Sequence, residues 1–312
     1  MNKLIVSSSP HIRTQNTTER IMLDVIIALL PTAIAGCVIF GWQALLVIFS
    51  CVAASVLSEY LFNLIIKKEQ TVGDLSAVVT GLILALNLRA DAPIWQCVIG
   101  SVFAIVVVKC LFGGLGCNFA NPAVTGRIFM LLCFTNLAGG MQPTIVEVTT
   151  SATPLEIMSG ANHDALPSLL DLFLGVHGGA IGEVCAAAII VGFAYLVIRR
   201  VINFETPLIF IATVFVLSLI ITNDPYLALV SILSGGLFFG AVFMATDYVT
   251  TPITRTGKMI FAVGCGIITV LIRTYGSYPE GVSFAILVMN CLVFYIDKLT
   301  RPRVFGGGRR GK

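Results

Sequence analysis

The chain has 312 residues, 57% of them hydrophobic and only 11% charged, with a formal net charge of +3. Water-soluble domains carry about 25% charged residues, so an ordinary water-covered globule is excluded.

In chain order, apolar runs fall at about 21–41, 43–66, 73–88, 94–115, 124–139, 181–198, 207–222, 226–245, 259–274 and 281–297. Each is long enough, at about 1.5 Å per residue, to approach the roughly 30 Å thickness of a bilayer core. A bilayer leaves no water for exposed backbone groups, so the runs read as helices. A transmembrane barrel would need alternating segments of about ten residues, and the sequence contains none. The expected fold is an all-α integral membrane protein of about ten transmembrane helices. The first 20 residues are polar and predict no cleavable signal peptide.

The nine cysteines form no CxxC pair and have no histidine at ligand spacing. They read as small buried hydrophobes. Cys110 and Cys117 are the one pair to weigh for iron–sulfur ligation, and no metal site is expected.

Basic residues set an orientation. With a cytoplasmic N-terminus, Lys67, Lys68, Arg199, Arg200, Arg255 and Lys258 fall inside, as do Lys3, Arg13 and Arg20 of the head. The tail, with Lys298, Arg301, Arg303, Arg309, Arg310 and Lys312, is also inside. Arg127 is expected on the same side, opening the fifth span. Only Arg89 and Arg273 remain outside, with Lys109 within the fourth run. Both termini are therefore expected in the cytoplasm, and the tail reads as a topology and lipid signal rather than a nucleic-acid site.

The two halves resemble each other. Gly81 and Gly240 stand 159 residues apart, as do Pro93 and Pro252. Five spans per half make the copies inverted in the membrane. The expected organisation is a cytoplasmic segment 1–20, a first repeat 21–139, an external loop 140–180, a second repeat 181–298 and a basic tail 299–312. Gly113, Gly114, Gly116 and Pro122, with Gly276, Pro279 and Gly281, read equally as broken helices or as close-packing positions.

A loop of about 40 residues among short links calls for a function. Its stretch Thr150-Ser151-Ala152-Thr153-Pro154 is a small Ser/Thr cluster. Read alone, Thr153 is first a helix N-cap, with Pro154 at the first helical position and Glu156 completing a capping box. Carboxylates in a bilayer cost a few kcal/mol and suggest function. Asp24, Glu59, Asp74, Glu183 and Asp247 are the candidates. Glu59 lies well inside a run, and the other four lie near run ends, where an interfacial position is at least as good a reading. For an ion path the first choice is Asp247, then Glu59 and Asp24. Asn87 and Asn121 either orient a ligand or cap a broken helix. The turn at 247–258 either holds an anion or closes a loop. No Walker loop, dinucleotide fingerprint or Ser/His/Asp arrangement appears.

The segment Glu147-Val-Thr-Thr-Ser-Ala-Thr153-Pro-Leu155 resembles the flavinylation motif of the family that contains the Rnf-complex D subunit and the B subunit of the sodium-translocating NADH:quinone oxidoreductase. SSSPHIRTQNTTERIMLDVIIALLP, GDLSAVVTGLILALNL, GGLGCNFANPAVTGRIF, FMATDYVTTPITRTGK and RTYGSYPEGVSFAILVMN are similar to further stretches of it, in order along the chain. Glu147 stands where the family motif begins with Asp. The resemblance implies FMN attached to Thr153 through a phosphodiester, with Thr150, Ser151 and Ala152 as the recognised neighbours. It implies a flavin transferase for maturation and a second, noncovalent flavin such as riboflavin in the helix bundle, which nothing in the sequence locates; Asn121 is a candidate to orient a flavin ring. It further implies a bacterial cytoplasmic-membrane complex that couples ferredoxin oxidation and NAD reduction to export of Na+ or H+. A flavoprotein subunit would donate electrons at the outer face. The competing class is a cofactor-free secondary transporter with inverted repeats.

Overall fold

A computed structural model describes residues 17–134, 153–159, 166–276, 278 and 280–301. Every regular element among them is helical. Five helices are long and apolar enough to span a bilayer: α1 (Thr18–Phe40), α2 (Trp42–Ile66), α9 (Glu205–Thr222), α12 (Arg255–Tyr275) and α13 (Val282–Thr300). Four shorter apolar segments accompany them: α3 (Ser76–Leu86), α4 (Ile94–Val102, continued by a π-helical stretch Phe103–Cys110), α5 (Pro122–Cys133) and α8 (Ala186–Ile198). One further unit, α10 (Pro225–Leu233) with α11 (Leu237–Phe239) and a π-helical stretch Gly240–Met244, bends by 61° at its break. The small helices α6 (Pro154–Ser159) and α7 (Leu169–Leu174) lie between the halves.

Only 28–39% of the apolar window in each long helix is buried in the bundle. The remainder shows Ile34, Phe49, Val216, Leu271 and Phe294 to the outside. Such an apolar shell would aggregate in water and is the surface a bilayer covers.

The short helices differ from the uninterrupted runs expected of the sequence. α3 has 11 residues, about 16 Å of helix, half of a bilayer core. Leu75 takes a left-handed conformation (φ 61°) just before it, with Asp74 accepting from the Ser76 N–H at 2.8 Å. Gly235 (φ 68°), 160 residues on, lies two residues before α11. The fourth run ends its helix at Cys110, and Gly113, Gly114 and Gly116 carry positive φ in the turn beyond. α5 starts afresh at Pro122, where the Asn121 side chain accepts from the N–H groups of Ala123 and Val124. Gly113, Gly114 and Gly116 therefore lie in the link between α4 and α5, and Pro122 opens α5; Gly276 ends α12, Gly281 precedes α13, and Pro279 lies outside the described residues.

A broken helix leaves carbonyls without partners, and in a membrane those must be satisfied by protein. The segment before α8 does this for α3. Gly182 N–H donates to Leu86 O at 2.7 Å, and Ile181 N–H to Leu88 O at 3.0 Å. A side chain on Gly182 would meet Leu86 Cβ at 2.6 Å, so only glycine permits the approach.

Two cavities flank this centre. One is bordered by Asn87 at the C-terminal end of α3 and by Gly235; the other by Ser76 at the N-terminal end of α3 and by Asp247. α3 therefore runs from the Asp247 end to the Thr153 end, and the segment from Gly235 to Asp247 runs the opposite way. Arg199, Arg200 and Lys258 gather at the Asp247 end, and Arg89 and Arg273 at the other. Arg127 departs from the expectation. It does not flank a span on the basic side but is buried among carboxylates in the cavity at the Thr153 end.

Candidate functional site

Thr153 lines that cavity together with Asn87, Arg127, Glu183, Tyr278 and Glu280. Met130, Leu131 and Leu155 supply apolar wall. The chain places Thr153 through α6. Its carbonyl accepts from Ile157 N–H at 3.0 Å, with Pro154 first in the helix. The helix-start position predicted for Thr153 is therefore what the backbone adopts. Pro154 and Leu155 are buried, which pins the threonine at the cavity rim. Thr150, Ser151 and Ala152 lie outside the described residues.

Arg127 organises the polar wall. Its Nη1 donates to Asn87 Oδ1 at 2.6 Å, and its Nη2 pairs with Glu280 Oε2. Glu183 Oε2 lies 4.0 Å from the same Nη2. Glu280 Oε1 also accepts from the Gly236 N–H at 2.6 Å, and Glu183 Oε1 from the Ala180 N–H at 2.9 Å. Arg273 stands behind, donating to Ser231 O at 2.6 Å and Ser234 O at 3.4 Å. The cavity thus has a polar, hydrogen-bonding wall, with one arginine held between two glutamates, and an apolar wall.

Asn87 spends its amide on Ile83 O at 2.7 Å and approaches Met244 Sδ at 3.6 Å. Asn121, on the far side of Met244, donates to Met244 O at 3.4 Å. Asn121 belongs to the other cavity, with Asn118, Lys109, Ser76 and Asp247. Met244, itself buried, therefore stands between an asparagine of each cavity.

The three ion-path candidates have different surroundings. Asp247 lines the second cavity, accepts from Thr250 Oγ1 at 3.0 Å, and forms no ion pair with a described lysine or arginine. Glu59 is 2% exposed. It is paired with Lys109 Nζ at 2.8 and 2.9 Å and accepts from Thr71 Oγ1 at 2.7 Å. Asp24 bonds Tyr195 Oη at 2.8 Å and Arg199 Nη2 at 3.2 Å, tying α1 to α8. The described residues hold no cluster of His, Cys, Asp or Glu that would suit a metal ion.

A family model described as the NQR2, RnfD, RnfE family matches residues 5–306. The chain belongs to this family. It is 45% identical over 309 residues to the D subunit of the Na(+)-translocating ferredoxin:NAD(+) oxidoreductase complex of Acetobacterium woodii, covering 97% of this chain and 95% of that one. It is 38% identical over 326 residues to the D subunit of the proton-translocating ferredoxin:NAD(+) oxidoreductase complex of Clostridium ljungdahlii, covering 99% and 98%. It is 36% identical over 335 residues to the D subunit of an ion-translocating oxidoreductase complex of Stutzerimonas stutzeri, covering 96% and 95%.

In this NQR2, RnfD, RnfE member, sequence reasoning missed Glu280 and the role of Arg127. Both sat in motifs that carried the resemblance, ANPAVTGRIF and RTYGSYPEG, yet neither run of letters says that the two meet 153 positions apart. Lys109 was seen inside an apolar run, where a lysine needs an acid; its partner is Glu59.

Proposed function

We propose that this chain is the D-type membrane subunit of an ion-translocating ferredoxin:NAD+ oxidoreductase, and that it carries FMN on Thr153. The supporting observation is that Thr153 stands at the rim of a cavity with an arginine-centred polar wall and an apolar one. Arg127 and Asn87 would hold polar edges of the cofactor, and Met130, Leu131 and Leu155 its face. The flavin, when bound, supplies one- or two-electron chemistry; the chain supplies position and field. Arg127 offers a fixed positive charge to whatever negative charge arrives there, in surroundings where it is weakly screened. Covalent attachment, made by a flavin transferase, keeps the cofactor from leaving into the medium.

By the distribution of basic residues, the Thr153 end faces outward and both termini face the cytoplasm of a bacterial inner membrane. A flavoprotein subunit of the complex would donate electrons at the outer face. The second, noncovalent flavin implied by family resemblance is proposed for the cavity at the Asp247 end. That cavity offers Asn121 and Asp247, and a buried Asn118 Oδ1 without a hydrogen-bond partner.

The test is a denaturing gel read under ultraviolet light, on protein made with an active flavin transferase. Wild type is expected to fluoresce and Thr153→Ala to be dark. A dark wild type would remove this reading and leave the competing one, a cofactor-free transporter, favoured by the opposed directions of α3 and the Gly235–Asp247 segment.

For the cation, Asp247 is the first candidate, because Glu59 is neutralised by Lys109 and Asp24 by Arg199. In the whole complex, Asp247→Ala is expected to raise the sodium concentration for half-maximal turnover on the order of tenfold, the loss of about 1.4 kcal/mol of binding. Sodium kinetics that match wild type would rule Asp247 out.

A further inference from the structure

Glu183 and Glu280 come from different parts of the chain and converge on one point. Gly236 separates them. A Cβ built on it would meet Glu280 Oε1 at 2.5 Å and Glu183 Oε2 at 2.8 Å. The absence of a side chain is what lets the two carboxylates approach. They are not equivalent. Glu280 takes the direct pair with Arg127 and the Gly236 N–H. Glu183 is left 4.0 Å from Arg127, and its Oε2 is buried with no hydrogen-bond partner. A full negative charge on a buried oxygen without a partner is costly, and a second carboxylate alongside makes it worse.

We propose that Glu183 and Glu280 share one proton, resting on Glu183, and that this proton sets the net charge of the Thr153 cavity. The claim about charge and electron transfer rests on the flavin reading above; the shared proton does not.

The charged groups that face Glu183 can be named. Arg127 comes from α5, Arg273 from α12, and Glu280 from the link between α12 and α13. At the rim are Tyr278 and Arg89, the latter paired with Asp91 at 2.7 Å. Burial, then Glu280, push the Glu183 carboxyl up to about 8, against the pull of Arg127. Burial works against charge on Glu280 too, but Arg127, a hydrogen bond from the Glu183 carboxyl, the Gly236 N–H and Arg273 hold its carboxyl below the usual range.

The sign follows. Below about pH 8, Glu183 is neutral. Arg127 and Arg273 then outweigh Glu280, and the inner wall carries one positive charge. Above that pH, Glu183 ionises and the wall becomes neutral. Electrons entering the cavity are stabilised in the first state and less so in the second. Glu183 is thus a positioning residue for charge, acting through the wall rather than through a bond it makes or breaks.

Two readouts test this on the purified complex. Infrared difference spectra should show a protonated carboxyl band at pH 7 that vanishes as pH rises through about 8 and is missing in Glu183→Gln. The band should survive in Thr153→Ala, which has no attached flavin. Spectroelectrochemical titration of the covalent flavin should show its midpoint potential falling through the same pH range in wild type. Glu183→Gln should abolish that fall, because the wall stays positive. Glu280→Gln should move it to lower pH, because Glu183 then inherits Arg127 and loses its like-charged neighbour. Absence of a Glu183-dependent carboxyl band at pH 7 overturns the shared proton. A band with a potential indifferent to Glu183→Gln overturns its control of the cavity. A complex without covalent flavin overturns the flavin reading instead, while the infrared result still decides the proton.

Discussion

Lys109→Ala is expected to lower the stability of the protein by about 3–5 kcal/mol, the cost of stranding one partner of a buried ion pair. Both members are sealed from solvent, Lys109 at 1% and Glu59 at 2% exposure. Glu59 lies seven residues from the end of α2, about 10 Å along the helix. Lys109 Nζ also donates to Ser76 Oγ at 2.6 Å, so one ammonium ties α2, α3 and the π-helical end of α4. Without it, Glu59 keeps only the Thr71 hydroxyl. The double change Glu59→Leu with Lys109→Leu removes both charges together, and replacing a buried pair by apolar groups is often neutral or stabilising. Thermal unfolding in detergent should therefore show a large fall for Lys109→Ala and recovery in the double variant. Equal losses in the single and double variants would mean that packing volume, not charge, is at stake.

Arg127→Ala is expected to do comparable damage at the other end of the bundle, again about 3–5 kcal/mol, with a functional consequence added. Glu280 would lose its main partner and Asn87 Oδ1 its donor. Two carboxylates would then face each other across Gly236. Arg127→Lys keeps the charge, but an ammonium cannot present a planar fork to Asn87 and Glu280 at once. It should recover part of the stability and less of the electron transfer. The measurements are thermal unfolding and the rate of flavin reduction by the physiological donor, on wild type and both variants. Full recovery of both by lysine would show that position in the plane does not matter.

The helices were legible in the sequence because lipid demands long apolar runs, and all ten runs contain apolar helix in the structure. Their true lengths were not. An apolar run reads through a break when the breaking residue is itself apolar, as Leu75 is, or when the unwound stretch is short and holds a single charge, as Ile181–Val184 does with Glu183. Thr153 was legible as a helix start, because Pro154 fits the first helical position, and that is where the structure begins α6. Arg127 was misjudged because position along the chain places a charge near a span end, whereas only the tertiary fold reveals Glu280 beside it. Glu59 stood out because a carboxylate seven residues inside a run has no interfacial explanation; the lysine that neutralises it was equally visible, and only their pairing was hidden.

The most direct test of the central claim is mass spectrometry of the proteolytic peptide containing Thr153, from protein made with an active flavin transferase. The peptide should carry the mass of one FMN less one water, with fragmentation assigning it to Thr153 rather than to Thr149, Thr150 or Ser151. An unmodified peptide, or a flavin on a different residue, would contradict it.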